Sequence, residues 1–165
     1  MGTPFSIPIE RFFHRIEEDR EFFNYYQLSD SEALQLARVR AKAYLQNAAD
    51  KIMMGGTPDI DLSDVDDALD QFNADLTSRE IYLLSSLMYE FYLEKDIAKL
   101  KTLSVNYTSS NLKVFDPSNA RTSFHTLYKD VCEKNAILLD AYRNTDRTTG
   151  AFKGIDYASY DEGGT

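Results

Sequence analysis

The chain is poor in the residues that build metal and redox chemistry. One cysteine, Cys132, in 165 residues excludes an intrachain disulfide and a cysteine-based metal cluster. Two histidines, His14 and His125, leave little scope for a His-rich metal site. There is no tryptophan. No apolar run approaches the ~18 residues of a membrane-spanning helix, and the first residues lack the apolar stretch of a signal peptide. Repeats of solenoid period are absent. Basic residues are outnumbered 27 to 18, for a net charge of −9 and a pI of about 4.7. That excludes wrapping of nucleic acid through a basic surface, and it leaves no basic face for anionic lipid. The expectation is a soluble protein of a reducing compartment, without contact to a membrane.

What is present is apolar and aromatic. Hydrophobic residues make up 43% and aromatics 13%, with 11 Tyr and 10 Phe. That is too apolar for a wholly disordered chain. A single domain of this length buries roughly two-thirds of its unfolded surface and needs no staples.

Periodicity predicts four helices. After an extended lead-in with Pro4 and Pro8, Ile9, Phe12, Phe13, Ile16 and Phe23 share one face of a helix over about 8–25. Ser29 and Glu32 form a capping box, with Ser31 as a competing cap, before a second helix over about 31–53, with Leu34, Ala37, Ala41, Tyr44, Leu45, Ala48 and Ile52 as its stripe and Gly55–Gly56 as its stop. Thr77 and Glu80 form another capping box, opening a long helix over about 77–103. Asp116–Pro117 starts the last helix, whose stripe of Ala120, Phe124, Leu127, Tyr128, Val131, Leu138 and Tyr142 runs to about 145. The fold class that follows is mostly α: a small bundle of about four helices over 1–146, with a flexible C-terminal tail over 147–165.

The charge is concentrated in the middle of the chain, where residues 51–100 carry four basic and eleven acidic side chains. Asp59, Asp61, Asp64, Asp66, Asp67, Asp70 and Asp75 follow one another closely. Ile60 and Leu62 alternate like a strand, whereas Leu62, Val65, Leu69 and Phe72 are spaced like a helix; aspartate disfavours both interiors, so a loop with one short element is expected. As a calcium loop the stretch fails, because Asp64 stands where glycine is needed and Asp70 where a bidentate glutamate is needed. A solvated acidic surface is the expected role, on the outside of any assembly; a negative lining that DNA does not stick to is the alternative.

No catalytic constellation emerges. Gly55–Gly56 is a helix stop rather than a phosphate loop. Cys132 lies two helical turns from His125, about 10 Å along the axis, too far for activation by that base. No carboxylate pair sits in an apolar setting that would raise a pKa. The chain therefore reads as a non-enzyme that needs no cofactor. In the tail, Phe152, Ile155, Tyr157 and Tyr160 are aromatic or apolar anchors among small residues, the composition of a partner-docking segment. Its few apolar side chains predict that deleting 147–165 leaves the bundle's melting nearly unchanged.

The stretches FNADLTSREIYLLSSLMYEFYLEKDI and NLKVFDPSNARTSFHTLYKDV carry a resemblance. An acidic lead-in reaches Asp75-Leu76-Thr77 with Glu80 three residues on. Leu87-Met88 follow on the same helix, then an aromatic-rich end. Lys113 precedes Phe115, and Ser118-Asn119-Ala120 opens a Leu/Tyr-rich last helix. This pattern, over about 70 of the 165 residues, resembles the head–tail connector, or neck adaptor, proteins of tailed bacteriophages. It departs from the family at Phe91 and Tyr92, where a tryptophan is expected, and at Pro117. The resemblance implies a mostly helical virion subunit, made in the host cytoplasm and assembled as a ring, usually twelve-fold, beneath the portal protein. Such a ring joins the portal to the tail or to the next neck protein, close to the genomic DNA in the channel. Two other readings differ in class: a cytoplasmic helical adaptor, and a small enzyme with a carboxylate metal site built from the Asp stretch.

Overall fold

The computed structural model describes residues 2–17, 20–23, 28–55, 59–106 and 117–154. It is mostly helical, with a small sheet. In chain order the elements are β1 (Thr3–Pro4), α1 (Ser6–Phe13), α2 (Arg20–Phe23), α3 (Asp30–Met53), β2 (Val65–Asp66), β3 (Gln71–Phe72), α4 (Ser78–Asn106) and α5 (Pro117–Arg143). Helix α4 is the axis of the bundle and packs against α1, α3 and α5.

The first helix is shorter than its periodicity predicts. A straight helix over 8–25 would separate Phe12 and Phe22 by about 15 Å along its axis. Instead the two rings lie 5.9 Å apart, edge to face. The chain achieves this by tightening after Phe13, where Arg15 and Ile16 donate to the carbonyls of Phe12 and Phe13, three residues back. It then turns, and α2 folds Phe22 and Phe23 back onto Phe12 and Phe13. Burial of aromatic area outweighs continued local helix here. Phe12, wholly buried, also meets Tyr44 of α3 and Tyr92 of α4, so a single ring ties three helices together.

Helix α3 begins where its cap predicts. The Ser29 amide donates to Glu32 Oε2 at 2.9 Å, and the Glu32 amide donates to Ser29 Oγ at 3.5 Å. Its buried face is mainly small (Ala37, Ala41, Ala48, Ala49), which lets α4 approach closely, with Tyr44 and Leu45 between the alanines and Ile52 near the C-terminal end. Leu34, expected in the core stripe, is exposed. At the C-terminal end the Arg143 guanidinium of α5 donates to the Lys51 carbonyl and fills the space beside Gly55, where any Cβ would collide with it.

Where a loop with one short element is expected, the acidic stretch carries two short strands that form a β-ribbon. Strand β3 pairs antiparallel with both β1 and β2, in the order β1-β3-β2, with Phe72 opposite Thr3 on one side and Val65 on the other. The helical spacing of Leu62, Val65, Leu69 and Phe72 therefore misleads: Leu62 and Phe72 are buried, whereas Leu69 is exposed at the hairpin tip. Asp70 takes a left-handed φ of 50° at that tip, a conformation aspartate tolerates better than most residues.

The capping box at α4 is made by the two residues expected to make it. The Glu80 amide donates to Thr77 Oγ1 at 3.3 Å, and the Thr77 amide donates to Glu80 Oε2 at 2.6 Å. Thr77→Ala is expected to cost about 0.5–2 kcal/mol. A urea midpoint equal to that of the parent chain would show that this cap contributes nothing. Asp116, expected as the cap of α5, lies outside the described residues.

Candidate functional site

Glu80 does more than cap a helix. It is wholly buried, and its carboxylate gathers donors from three parts of the chain. Arg147 Nε donates to Oε1 at 2.6 Å and its terminal nitrogen to Oε2 at 3.1 Å, a bidentate pair. Tyr142 Oη donates to Oε1 at 3.0 Å, and the Thr77 amide and hydroxyl complete the set. Arg147 also donates to the Asp75 carbonyl. Burial, the largest single influence on the Glu80 carboxyl, works to raise its pKa. The bonds from Arg147, Thr77 and Tyr142 together outweigh it and hold the group below its ordinary value of 4.5. The Tyr142 hydroxyl is pushed up, first by burial and then by the neighbouring carboxylate.

The sign of the pH dependence follows. With its folded pKa lowered, Glu80 binds fewer protons in the folded chain than in the unfolded one. Its contribution is complete above 4.5 and is lost as pH falls through the lower folded value. In a pH series of urea midpoints, the parent chain is expected to lose stability on acidification below that point. Glu80→Gln is expected to start lower and to show a shallower acid limb; parallel limbs would show that Glu80 does not carry the effect.

Arg147 and its neighbours form a small clasp at the end of α5. The Asp146 amide donates to the Ala151 carbonyl at 2.7 Å, the Gly150 amide to the Asp146 carbonyl at 2.9 Å, and Thr145 bridges to Phe152. Asp146 Oδ1 accepts the amides of Thr148 and Thr149, and Gly150 supplies the left-handed φ of 72° that closes the turn. The clasp is fixed by Arg147 to Glu80, by Arg79 to Thr145 Oγ1 at 3.0 Å, and by Lys153 to Asp59 at 2.8 Å. Residues 147–154 thus begin docked on the bundle, with Phe152 pointing out at 83% exposure. A deletion from 147, expected from sequence to be neutral, removes the partner of a buried carboxylate. Ile155, Tyr157 and Tyr160 lie outside the described residues.

Of the six aspartates expected to form an acidic surface, Asp59, Asp61, Asp64, Asp67 and Asp70 are exposed and Asp66 is half-buried, and most also make local bonds. Asp61 accepts from the Ser63 amide and hydroxyl, Asp66 from the amides of Ala68 and Leu69, and Asp64 from Asn73 Nδ2. Lys42 reaches Asp70 at 2.7 Å and Asp67 at 3.1 Å. Among the described residues, no group of three or more His, Cys, Asp and Glu side chains is placed to hold a metal ion.

A second buried network joins α4 and α5. Ser86 Oγ donates to Asn135 Oδ1 at 2.7 Å, and Asn135 Nδ2 donates to the Ser86 carbonyl and to Glu90 Oε2. Lys51 reaches Glu90 Oε1 at 2.6 Å from α3. The arrangement sets the register of three helices. Cys132 is half-buried beside Tyr128, and burial pushes its thiol up, away from the thiolate form that nucleophilic chemistry needs. His125 and His14 are exposed. No described helix is long and apolar enough to cross a membrane.

Sequence reasoning missed Arg147, Tyr142 and Asn135 as partners of buried charge. The signal available was weak: an arginine among Gly, Ser and Thr, and an asparagine interrupting an apolar helical stripe. The bundle also leaves apolar side chains uncovered. On α5, Phe124 and Leu127 are exposed on the face shared with half-buried Tyr128 and Val131; on α3, Leu36 and Val39 are exposed one turn apart. No protein family, curated protein or solved structure matches the chain.

Proposed function

We propose that this chain is a structural subunit of a phage neck, a head–tail connector that assembles as a ring between the portal protein and the tail or next neck protein. The sequence pattern running from Phe72 to Tyr142 motivates the reading, and the observation that carries it is the pair of uncovered apolar faces. A ring requires heterologous contacts, one face of a subunit against a different face of the next. Phe124 and Leu127 on α5 and Leu36 and Val39 on α3 supply two such faces on different helices. The buried polar clusters, organised around register and capping, fit a structural role. In such a ring the ribbon of residues 59–75 stands on the outside.

Particles from a tailed phage that encodes the chain provide the test. An antibody against the full chain is expected to label the head–tail junction, and a reconstruction is expected to place the α4–α5 pair in a ring there. Absence of the chain from purified particles overturns the reading and favours the cytoplasmic adaptor. A copy number that matches no ring symmetry overturns the assembly.

A further inference from the structure

We infer that the groove between the start of α4 and the end of α5 binds an acidic peptide of a partner protein, with one apolar side chain in the groove and carboxylates on the cations around it. The inference goes beyond the neck reading and does not rest on it.

The groove encloses about 240 Å³. Leu83, Leu138, Ala141 and Tyr142 give it apolar walls, and Arg79 and Tyr82 line it from α4. By helical spacing Ile137 shares a side of α5 with Lys134 and Ala141, and it is 70% exposed. The space is smaller than the ~300 Å³ at which pockets for whole ligands begin, so it suits one large side chain.

Three cations converge on Tyr82. The Arg11 and Arg15 guanidinia lie 5.3 and 5.1 Å from the centre of its ring. Arg15 is held there by its bond to Ser86 Oγ at 3.3 Å. Arg15 first, and Lys134 from α5 with it, hold the Tyr82 hydroxyl below its ordinary pKa of 10.0. Arg79, one turn before Tyr82, adds a fourth positive charge to the groove.

These cations differ from those elsewhere on the molecule. Lys42, Lys51, Lys129, Arg147 and Lys153 each reach a carboxylate. Among the described residues, Arg11, Arg15, Arg79 and Lys134 reach none. In a chain of net charge −9, composition does not account for four such cations in one place. Gathering like charges costs stability, and an anion that joins them offsets the cost. The charges come from three parts of the bundle and surround an apolar groove. Their complement is therefore extended, carries several carboxylates and holds an apolar group among them, which is the form of an acidic peptide. Duplex nucleic acid fits less well, because the remaining acidic surface repels it and phosphodiesters leave the groove unfilled.

Fluorescence anisotropy with the full chain tests this. The probe is a labelled peptide with one central phenylalanine and three aspartates on each side. Arg11→Glu combined with Lys134→Glu, both at exposed positions, is expected to weaken binding at least about tenfold, since attraction becomes repulsion. Ala141→Phe fills the groove from an exposed position and is expected to weaken binding several-fold. Melting curves equal to the parent's show that the variants are folded. Should Ala141→Phe not fold, a probe with alanine in place of its phenylalanine asks the same question, and it is expected to bind several-fold more weakly. Undiminished binding after charge reversal overturns the proposal, as does equal binding of the two probes. A DNA duplex that binds more tightly than the peptide and displaces it also overturns it, making the patch a phosphate surface. Tyr157→Ala combined with Tyr160→Ala examines the chain's own tail as occupant. Unchanged probe binding in that variant supports an external partner; tighter binding shows that residues 155–165 compete for the groove and overturns one.

Discussion

Replacing Arg147 with alanine is expected to destabilise the fold by about 3 kcal/mol, the lower end of the range for breaking a buried ion pair. Among the described residues the guanidinium is the one charged partner of Glu80, whose side chain is 1% exposed. The lower end applies because the Thr77 amide, the Thr77 hydroxyl and Tyr142 remain to solvate the carboxylate. The double variant with Glu80→Gln is expected to cost less than the sum of the single changes, since removing the charge removes the need for its partner. Truncation provides an independent form of the same prediction. A chain ending at 146 should lose as much stability as Arg147→Ala, whereas one ending at 154 should keep the parent's urea midpoint. If all three match the parent, Arg147 is not seated on Glu80.

Phe12→Ala is expected to cost about 4 kcal/mol, within the range for deleting a fully buried aromatic ring. The ring touches Phe13 and Phe22 on its own side of the bundle, Tyr44 on α3 and Tyr92 on α4, all with centroids 5.9 to 6.1 Å away. No single neighbour can move in to fill the space, because each is itself fixed by a different helix. The control is Phe152→Ala, the same chemical change at a residue 83% exposed, which should leave the midpoint within about 0.5 kcal/mol. Equal effects at the two positions would place Phe12 outside the core.

The long helices were legible because their signals are local. Ser29 with Glu32, and Thr77 with Glu80, satisfy amides three residues away, so spacing in the chain is spacing in space. The small-residue stripe of α3 needs only the 3.6-residue period to be read. The ribbon was not legible, since Leu62, Val65, Leu69 and Phe72 fit a helix as well as a sheet. Which pattern wins was settled by the pairing of Phe72 with Thr3, sixty-nine residues away in the chain. The break after Phe13 was hidden for the same reason: only the aromatic neighbours on α3 and α4 make a reversal more favourable than another turn of helix.

By itself, then, the sequence determined a mostly α chain with capped long helices, without the cysteines or histidines of a metal cluster and with an acidic middle. Tertiary structure alone decided what the polar residues do. It turned a capping glutamate into a buried anion, an arginine beyond the last helix into its partner, and most of an acidic run into turn bonds and ion pairs. The physical reason is that a cap or a periodic stripe is satisfied by neighbours along the chain, whereas a buried charge is satisfied by whichever donor the fold brings to it, here Arg147 across 67 residues.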